Sequence, residues 1–420
     1  MNLPRSITKI KINYNTILLT MLFFFMHNCF YLVNSNSKIL GIISYPDFLF
    51  LYCLFLFLFY FKMFPKGYFG GYFAKVILSI PILIILSSFM ASINYGQGIL
   101  SGILTQRAWL ITMFLYFPLM ALVRNGKLNI ESFLSILYTI VFIELFLYFV
   151  QFYVGESYMF LHVLYNYRYG SIRLYTDTAY MSLLLSLATV KFMNKEKILK
   201  NAFFIAAILA YIFIVIKGRG ASIFFLLTFV LIIVLSKSKL IYKICIMVIM
   251  FLLGFYIFLQ AQTVQELISI IFQNADDPTF NVRIFSQQFY LSKLSSTAGA
   301  WAFGYGYPNS TIPNSMAATG NDLGYLLADN GIYGFVFCYG FLGVVWFFYS
   351  SIVQIKYSAI LFFKYKDSAL IVSIVLGLAT LVTNIVFFYS FYSFSSVLVF
   401  ITIELLLRKY RDNNKVRLRG

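Results

Sequence analysis

Residues 274–334 read NADDPTFNVRIFSQQFYLSKLSSTAGAWAFGYGYPNSTIPNSMAATGNDLGYLLADNGIYG, the one long interval of this 420-residue chain without an apolar run able to cross a bilayer. Nearly everything on either side is apolar. With 61% hydrophobic residues, 11% charged residues and a mean hydropathy of +0.85, the chain cannot be an ordinary soluble globule. The composition implies a scaffold of membrane helices that presents one elaborated loop. Cys29, Cys53, Cys245 and Cys338 fall in apolar runs without paired spacing, so no disulfide framework or metal site is implied.

A spanning helix needs roughly 20 mostly apolar residues. Working outward from the loop, twelve such segments are expected, near 15–33, 45–61, 75–93, 103–123, 132–153, 173–192, 199–216, 219–236, 240–260, 329–353, 368–388 and 391–407. The expected fold class is an all-α integral membrane protein. It forms one polytopic domain over 1–420, with 261–328 as a large extracytoplasmic loop between spans nine and ten. Arg5, Lys9 and Lys11 precede the first span as in a signal peptide, but its apolar core is long and no A-x-A-like site follows. It reads as a retained anchor.

Basic residues test the topology independently of hydropathy. With the N-terminus inside, 24 of the 32 Lys and Arg fall on the inner side, leaving Lys38, Arg107, Arg168, Arg173, Lys217, Arg219, Arg283 and Lys293 outside. This positive-inside pattern predicts that both termini are cytoplasmic. The net charge of +18 then reflects attraction to anionic lipid and not a nucleic-acid footprint.

Outer arginines need a local reason, because insertion scales put the cost of an arginine at a helix centre at about 2.5 to 3.5 kcal/mol. They sit in three places. A loop from Val154 to Ile172 leads into Arg173-Leu-Tyr-Thr-Asp177; a tight junction holds Lys217-Gly-Arg219-Gly220; the long loop carries Arg283, Gly304-Tyr-Gly306, Asn321-Asp322-Leu-Gly-Tyr325 and Gly331-Ile-Tyr-Gly334. Several guanidinium groups aimed at one cavity suit a phosphate or diphosphate. No Walker-type loop, G-x-G-x-x-G or metal-ligand cluster is visible, so neither cofactor nor metal is expected.

The order of these motifs resembles the O-antigen ligase and polymerase family of bacterial membrane glycosyltransferases. The resemblance covers 173–334 and the twelve-span layout, and each motif is short. It implies a metal-independent enzyme of the inner membrane, acting on glycans linked to undecaprenyl pyrophosphate, with Arg173, Arg219 and Arg283 on the pyrophosphate. A chain-length regulator protein is a further implied partner. The family's ligases carry a histidine before the glycine-rich helix start, whereas this chain has Asn321-Asp322 there, and His27 and His162 are its only histidines. That departure favours a polymerase of O-antigen or capsule repeat units over a ligase that transfers polymer to a lipid core.

The residues support the same chemistry without the resemblance. An outward-facing site has no nucleotide supply, so its substrate must arrive activated. Arg219 and Arg283 would stabilise charge developing on a leaving diphosphate, and Asp322 would take the proton from the attacking sugar hydroxyl. Arg173, Arg168, Asn321, Tyr325 and Tyr305 complete the expected substrate contacts.

Each assignment has a plain alternative. Arg283 also fits a solvated cation paired with Asp276 or Asp277, Arg173 an interfacial anchor, Asp322 a helix N-cap, and the tyrosines packing aromatics. Arg219 opens a helix, where a cation opposes the dipole. Glu144, inside the fifth span, is expected to pair with Arg107. Residues 309–320 have the composition of an irregular lid, and FSQQFYLSKL (285–294) has helical spacing suited to a membrane surface. The rival from another class is a lipid-linked oligosaccharide flippase, which would need charges lining a central cavity.

Overall fold

The computed structural model describes residues 14–34, 38–39, 43–168, 171–248, 278–327, 330–383 and 393–417, and within them the chain is predominantly helical. Helix α1 (Tyr14–Met26) and a hairpin of β1 (Lys38–Ile39) and β2 (Ile43–Ser44) precede α2 (Tyr45–Met63). Next come α3 (Ala74–Leu78), α4 (Ile80–Tyr95), α5 (Ile99–Thr105), α6 (Arg107–Phe114), α7 (Tyr116–Arg124) and α8 (Ile130–Val154). A second antiparallel hairpin, β3 (Tyr165–Arg168) and β4 (Ser171–Leu174), leads into α9 (Ala179–Met193), α10 (Ile198–Tyr211) and α11 (Arg219–Leu235). A helical stretch α12 (240–248) is followed by α13 (Pro278–Ser296), α14 (Ala300–Phe303) and α15 (Pro313–Ala318). Helices α16 (Gly331–Tyr365), α17 (Ala369–Thr383) and α18 (Ser393–Arg417) complete the chain.

Each of the twelve apolar segments contains helix. Six stretches are long and apolar enough to cross a membrane: Tyr45–Met63, Ala74–Tyr95, Arg107–Arg124, Ile130–Tyr158, Ile198–Ile216 and Gly331–Tyr365. Tyr14–Met26, Ala179–Met193 and Ala221–Leu235 are apolar but shorter. Among the described residues, the two hairpins are the departure from the all-α expectation. One of them takes Arg173 out of the sixth segment, whose helix starts at Ala179.

Local chemistry explains the breaks and starts. Pro81 and Pro118 cannot donate to the preceding turn, and the chain breaks just before them, at Ser79 and Leu115. Helix α8 opens with a capping box, Asn129 Oδ1 accepting from Ser132 N at 2.8 Å and Ser132 Oγ from Asn129 N at 3.2 Å. Helix α9 packs on α8, α10, α11 and α17, while α18 runs against α6, α7 and α16. Aromatic contacts knit the interior, with Phe73 stacked on Phe400 at 4.2 Å and Trp109 edge-on to Trp346 at 5.5 Å. The buried carboxylate of Glu404 receives Tyr72 N and Tyr116 Oη, each at 2.6 Å, which offsets its desolvation.

The described part of the long loop, residues 278–327, is docked on α4 and α16, and the stretch 309–320, expected as an irregular lid, includes the short helix α15. The loop's helical spacing is realised in α13, where Ser286, Tyr290 and Leu294 are buried and Tyr290 meets Phe337 of α16 at 4.9 Å. The Gly304-Tyr-Gly306 turn then crosses α16 at a kink. Gly340 there has φ 61°, so the helix ladder is interrupted. The carbonyls near the kink find other donors: Tyr305 N reaches Phe337 O at 2.6 Å and Ser87 Oγ reaches Cys338 O at 2.9 Å. At Gly306, φ is +112° and a Cβ would stand 2.4 Å from Ala91 N, so a side chain is excluded.

Gln97, fully buried between α4 and α5, fixes the rest of the segment. Its Nε2 donates to Tyr307 O at 3.0 Å, and its Oε1 accepts from Asn309 N and Ser315 Oγ, both at 2.8 Å. Asn94 Nδ2 donates to Tyr305 O at 2.8 Å, and Ser87 Oγ accepts from Tyr307 N at 2.9 Å. Polar, proline-interrupted sequence is compatible with order when buried amides and hydroxyls supply the hydrogen bonds that secondary structure does not.

Candidate functional site

Two of the expected arginine positions converge at the hairpin. Helix α10 ends in a π-turn, Ile212–Ile216, closed by Lys217 at φ 49° with Lys217 N on Ile212 O at 3.0 Å. The Ile216 carbonyl accepts from Arg173 Nε at 2.8 Å. Arg173 stands on β4, its guanidinium 4.3 Å from the Tyr175 ring centroid and its Nη1 donating to Tyr175 Oη at 3.1 Å. Its Nη2 lies 3.6 Å from where a Cβ on Gly218 would stand. Gly218 is the N-cap of α11, makes no side-chain cap, and is followed by Arg219 as the first helical residue.

Arg173 therefore lies across a helix start whose first amides point outward and whose first residue is another arginine. Cations oppose a helix N-terminus, but an anion placed among them would meet amide donors, helix dipole and guanidinium together. Lys217 at the same junction is buried with its Nζ 5.5 Å from the Phe152 ring centroid, and burial pushes its ammonium below the ordinary lysine value. The side chains of Arg219 and Arg168 lie outside the described residues. Arg168 is placed by its backbone alone, paired with Ser171 at the hairpin end.

The remaining expected residues gather on other elements. Arg283 is half-buried on α13, its carbonyl accepting from Ser286 Oγ at 2.8 Å. Asn321 and Asp322 lie in a short 3-10 turn, Asn321–Leu323, where Asp322 is exposed. Asp322 caps no long helix, because α16 starts after Asn330. Tyr325 packs 5.5 Å from Phe289 of α13, so Arg283, Asn321, Asp322 and Tyr325 share the α13 side of the loop. Tyr305 does not present its ring: it is 7% exposed and wedged between Phe337 at 5.2 Å and Tyr95 at 6.0 Å. Packing is its role in the fold. Asp276 and Asp277 lie outside the described residues.

Beneath the hairpin is a cluster that the sequence reading missed. Glu144 of α8 is fully buried, with its Oε1 2.5 Å from His27 Nδ1, while His27 Nε2 is 3.6 Å from Asp177 Oδ2. By distance this is an ion pair, yet no aligned hydrogen bond joins Oε1 to Nδ1. Among the described residues Glu144 Oε2 has no hydrogen-bond partner, and neither has the buried Tyr148 hydroxyl. The expected pairing of Glu144 with Arg107 is corrected, since Arg107 Nη2 bonds Asp47 Oδ1 at 3.1 Å.

The surroundings hold this cluster in register with the hairpin. The imidazole of His27 stacks on Tyr180 at 3.9 Å, and Tyr180 Oη donates to Phe23 O at 3.0 Å. Asp177 follows β4 by three residues; its Oδ1 accepts from Ala179 N at 2.8 Å and its own amide donates to Tyr31 Oη at 2.8 Å. Thr176 Oγ1 bonds Tyr211 Oη, tying the same strand exit to α10. After His27 the chain turns through Asn28, Cys29, Phe30 and Tyr31 with φ of 48°, 51°, 57° and 61°. Such left-handed geometry costs about 1 to 2 kcal/mol per L-residue, and strain of this kind clusters at functional sites. The available signal was His27 itself, an ionisable side chain at the end of the first span, of the kind that needs a partner in membrane.

The arrangement sets the Arg173 guanidinium beside the start of α11 and brings Asp177, 14% exposed, to 3.6 Å from His27, which faces the interior Glu144. In comparisons with known proteins, no family model and no curated sequence matches the chain.

Proposed function

We propose that the chain is a twelve-span bacterial plasma-membrane polymerase that joins lipid-linked oligosaccharide repeat units into a surface polysaccharide. The observation that carries this reading is Arg173 lying across the start of α11, beside Arg219. The corner would hold the pyrophosphate of an undecaprenyl carrier, with Arg283 contributing from the long loop. Negative charge grows on that diphosphate as the glycosidic bond breaks, so fixed cations favour the transition state over the ground state. The base is Asp322 by the sequence argument. Asp177 is the competing position, because it follows the Arg173 strand and is backed by His27.

The test is a glycan ladder from cells expressing variants at matched membrane levels. Arg173→Gln should reduce long chains to single repeat units, a loss on the order of 10²-fold in rate. Arg173→Lys should recover only part, since a point charge cannot hold Ile216 O and Tyr175 Oη while also facing a ligand. Asp322→Asn and Asp177→Asn decide between the bases, and normal ladders from Arg173→Gln sink the anion-site assignment. Loss of attachment with normal chain growth would instead identify a ligase.

A second reading is supported by the interior His27–Glu144 pair, which a proton-coupled flippase of lipid-linked oligosaccharides would use. It is separated by measuring lipid-linked glycan movement in vesicles of Glu144→Gln protein. Transport lost with polymer assembly intact from pre-translocated substrate would favour it.

A further inference from the structure

At the far end of α8 from the hairpin, where α9 turns into α10, a pocket of about 380 Å³ is lined by Glu131, Tyr138, Lys191, Glu196, Lys197 and Lys200 among others. We infer that this pocket binds the headgroup phosphate of an anionic phospholipid. Both carboxylates are already engaged, Glu196 by Lys191 Nζ at 3.0 Å and Glu131 by Lys409 Nζ at 3.0 Å. Lys197 and Lys200 remain with no carboxylate partner among the described residues. Lys200 Nζ sits 3.8 Å from the Tyr138 ring centroid, which holds the ammonium over the cavity floor. That floor is fixed in turn, Tyr138 Oη bonding Asn201 Oδ1 and Asn201 Nδ2 donating to Glu196 O at 2.6 Å.

Two like charges crowded at a preformed cavity repel, and an anion between them removes the repulsion. Lys197, the N-cap of α10, stands in a left-handed conformation without a side-chain cap, and it lines the pocket together with Lys200 of the first turn. The flank identifies the source of the phosphate. Ile198 is 43% exposed, Leu199 87% and Phe203 55%, an apolar strip running from the pocket rim along α10. Acyl chains would lie on that strip while the headgroup fills the pocket. A soluble phosphate has no use for exposed leucine and phenylalanine. The lysine-rich end is the cytoplasmic one by the charge distribution, so the ligand is an inner-leaflet lipid.

The experiment uses the full chain in detergent and native mass spectrometry with dioleoyl phosphatidylglycerol, dioleoyl phosphatidylcholine and inorganic phosphate as probes. Wild type should retain phosphatidylglycerol in preference to phosphatidylcholine. Lys197→Gln combined with Lys200→Gln should lower that preference about fivefold or more, each basic residue near an anionic headgroup being worth a factor of that order. Lys356→Gln with Lys364→Gln, also at the lysine-rich end, is the control and should change the preference little. Equal losses from both pairs would reduce the effect to general surface attraction and overturn the site. Millimolar phosphate that raises the melting temperature as far as the lipid does would assign a free anion and overturn the lipid. Unchanged retention in the pocket variant would remove the proposal outright. All four lysines are outside the Arg173 corner, so the result is independent of the glycan reading.

Discussion

The docked loop and the cluster beneath the hairpin are both buried polar assemblies, and they are satisfied in opposite ways. Around Gln97 the groups are neutral amides and hydroxyls, and its oxygen and nitrogen together bind three partners on the loop. Around Glu144 the groups are ionisable, and neither carboxylate oxygen has an aligned donor among the described residues. Neutral networks stabilise by being complete. A charged cluster left incomplete in a low-dielectric interior is costly and is retained where protons or ligands move. The described part of the long loop is thus held by a complete neutral network, whereas the incompletely paired ionisable groups lie under a short hairpin.

The comparison breaks most readily at His27. His27→Leu leaves the Glu144 carboxylate buried without its one cation, a loss of about 3 to 5 kcal/mol when one partner of a buried pair is removed. Replacing Glu144 by Leu as well should recover much of that loss, because no charge then remains to be desolvated. Melting curves of the two single variants and the double variant in detergent measure this directly. A double variant less stable than either single one would mean the pair is structural glue, and the contrast with the loop would collapse.

Gln97→Leu probes the other side with a smaller effect. It orphans Tyr307 O and removes an acceptor from Asn309 N and Ser315 Oγ, on the order of 2 kcal/mol after solvent access compensates part of the loss. The predicted consequence is local: protease cleavage within 309–320 becomes fast while the bundle melts close to the wild-type temperature. Protection equal to wild type would show that the Gly304–Gly306 crossing holds the segment without Gln97.

These two networks also mark the limits of sequence reading. Apolar runs of span length contain helix because an exposed backbone cannot be tolerated in lipid, so helix content was legible while breaks such as those at Gln106, Leu115 and the Arg173 strand were not. Arg173 and Arg219 were singled out as basic residues needing a local reason, and the fold places Arg173 beside the helix start whose first residue is Arg219. The partners of Tyr305 and Gln97 were not legible, because they are more than 200 residues away and only the fold brings them together. An intramembrane carboxylate such as Glu144 needs a partner, but sequence does not say which. Depth alone made Arg107 plausible, whereas the fold sets His27, at the end of α1, against Glu144 and pairs Arg107 with Asp47.

Asp367, between α16 and α17 at the lysine-rich end, combines features of both networks. Its Oδ1 accepts from Ala369 N at 3.2 Å and its Oδ2 from Tyr410 Oη at 3.1 Å, so it is partnered like Gln97 but ionisable like Glu144. Burial pushes its carboxyl above the ordinary value of 3.8, against the opposing pull of those two donors and of Lys409. A raised acid means that the folded state holds the proton more tightly than the unfolded chain. Its contribution to stability is therefore complete below the ordinary carboxyl range and is lost as pH rises through the folded value. Asp367→Asn keeps an acceptor for Ala369 N without the charge, so it should melt later than wild type at pH 8, by on the order of 1 kcal/mol. Near pH 4 the two curves should approach each other. Parallel melting profiles across that range would mean that the two donors already compensate the buried charge. In that event, hydrogen-bond completeness, and not ionisation, would be what separates the loop from the Glu144 cluster.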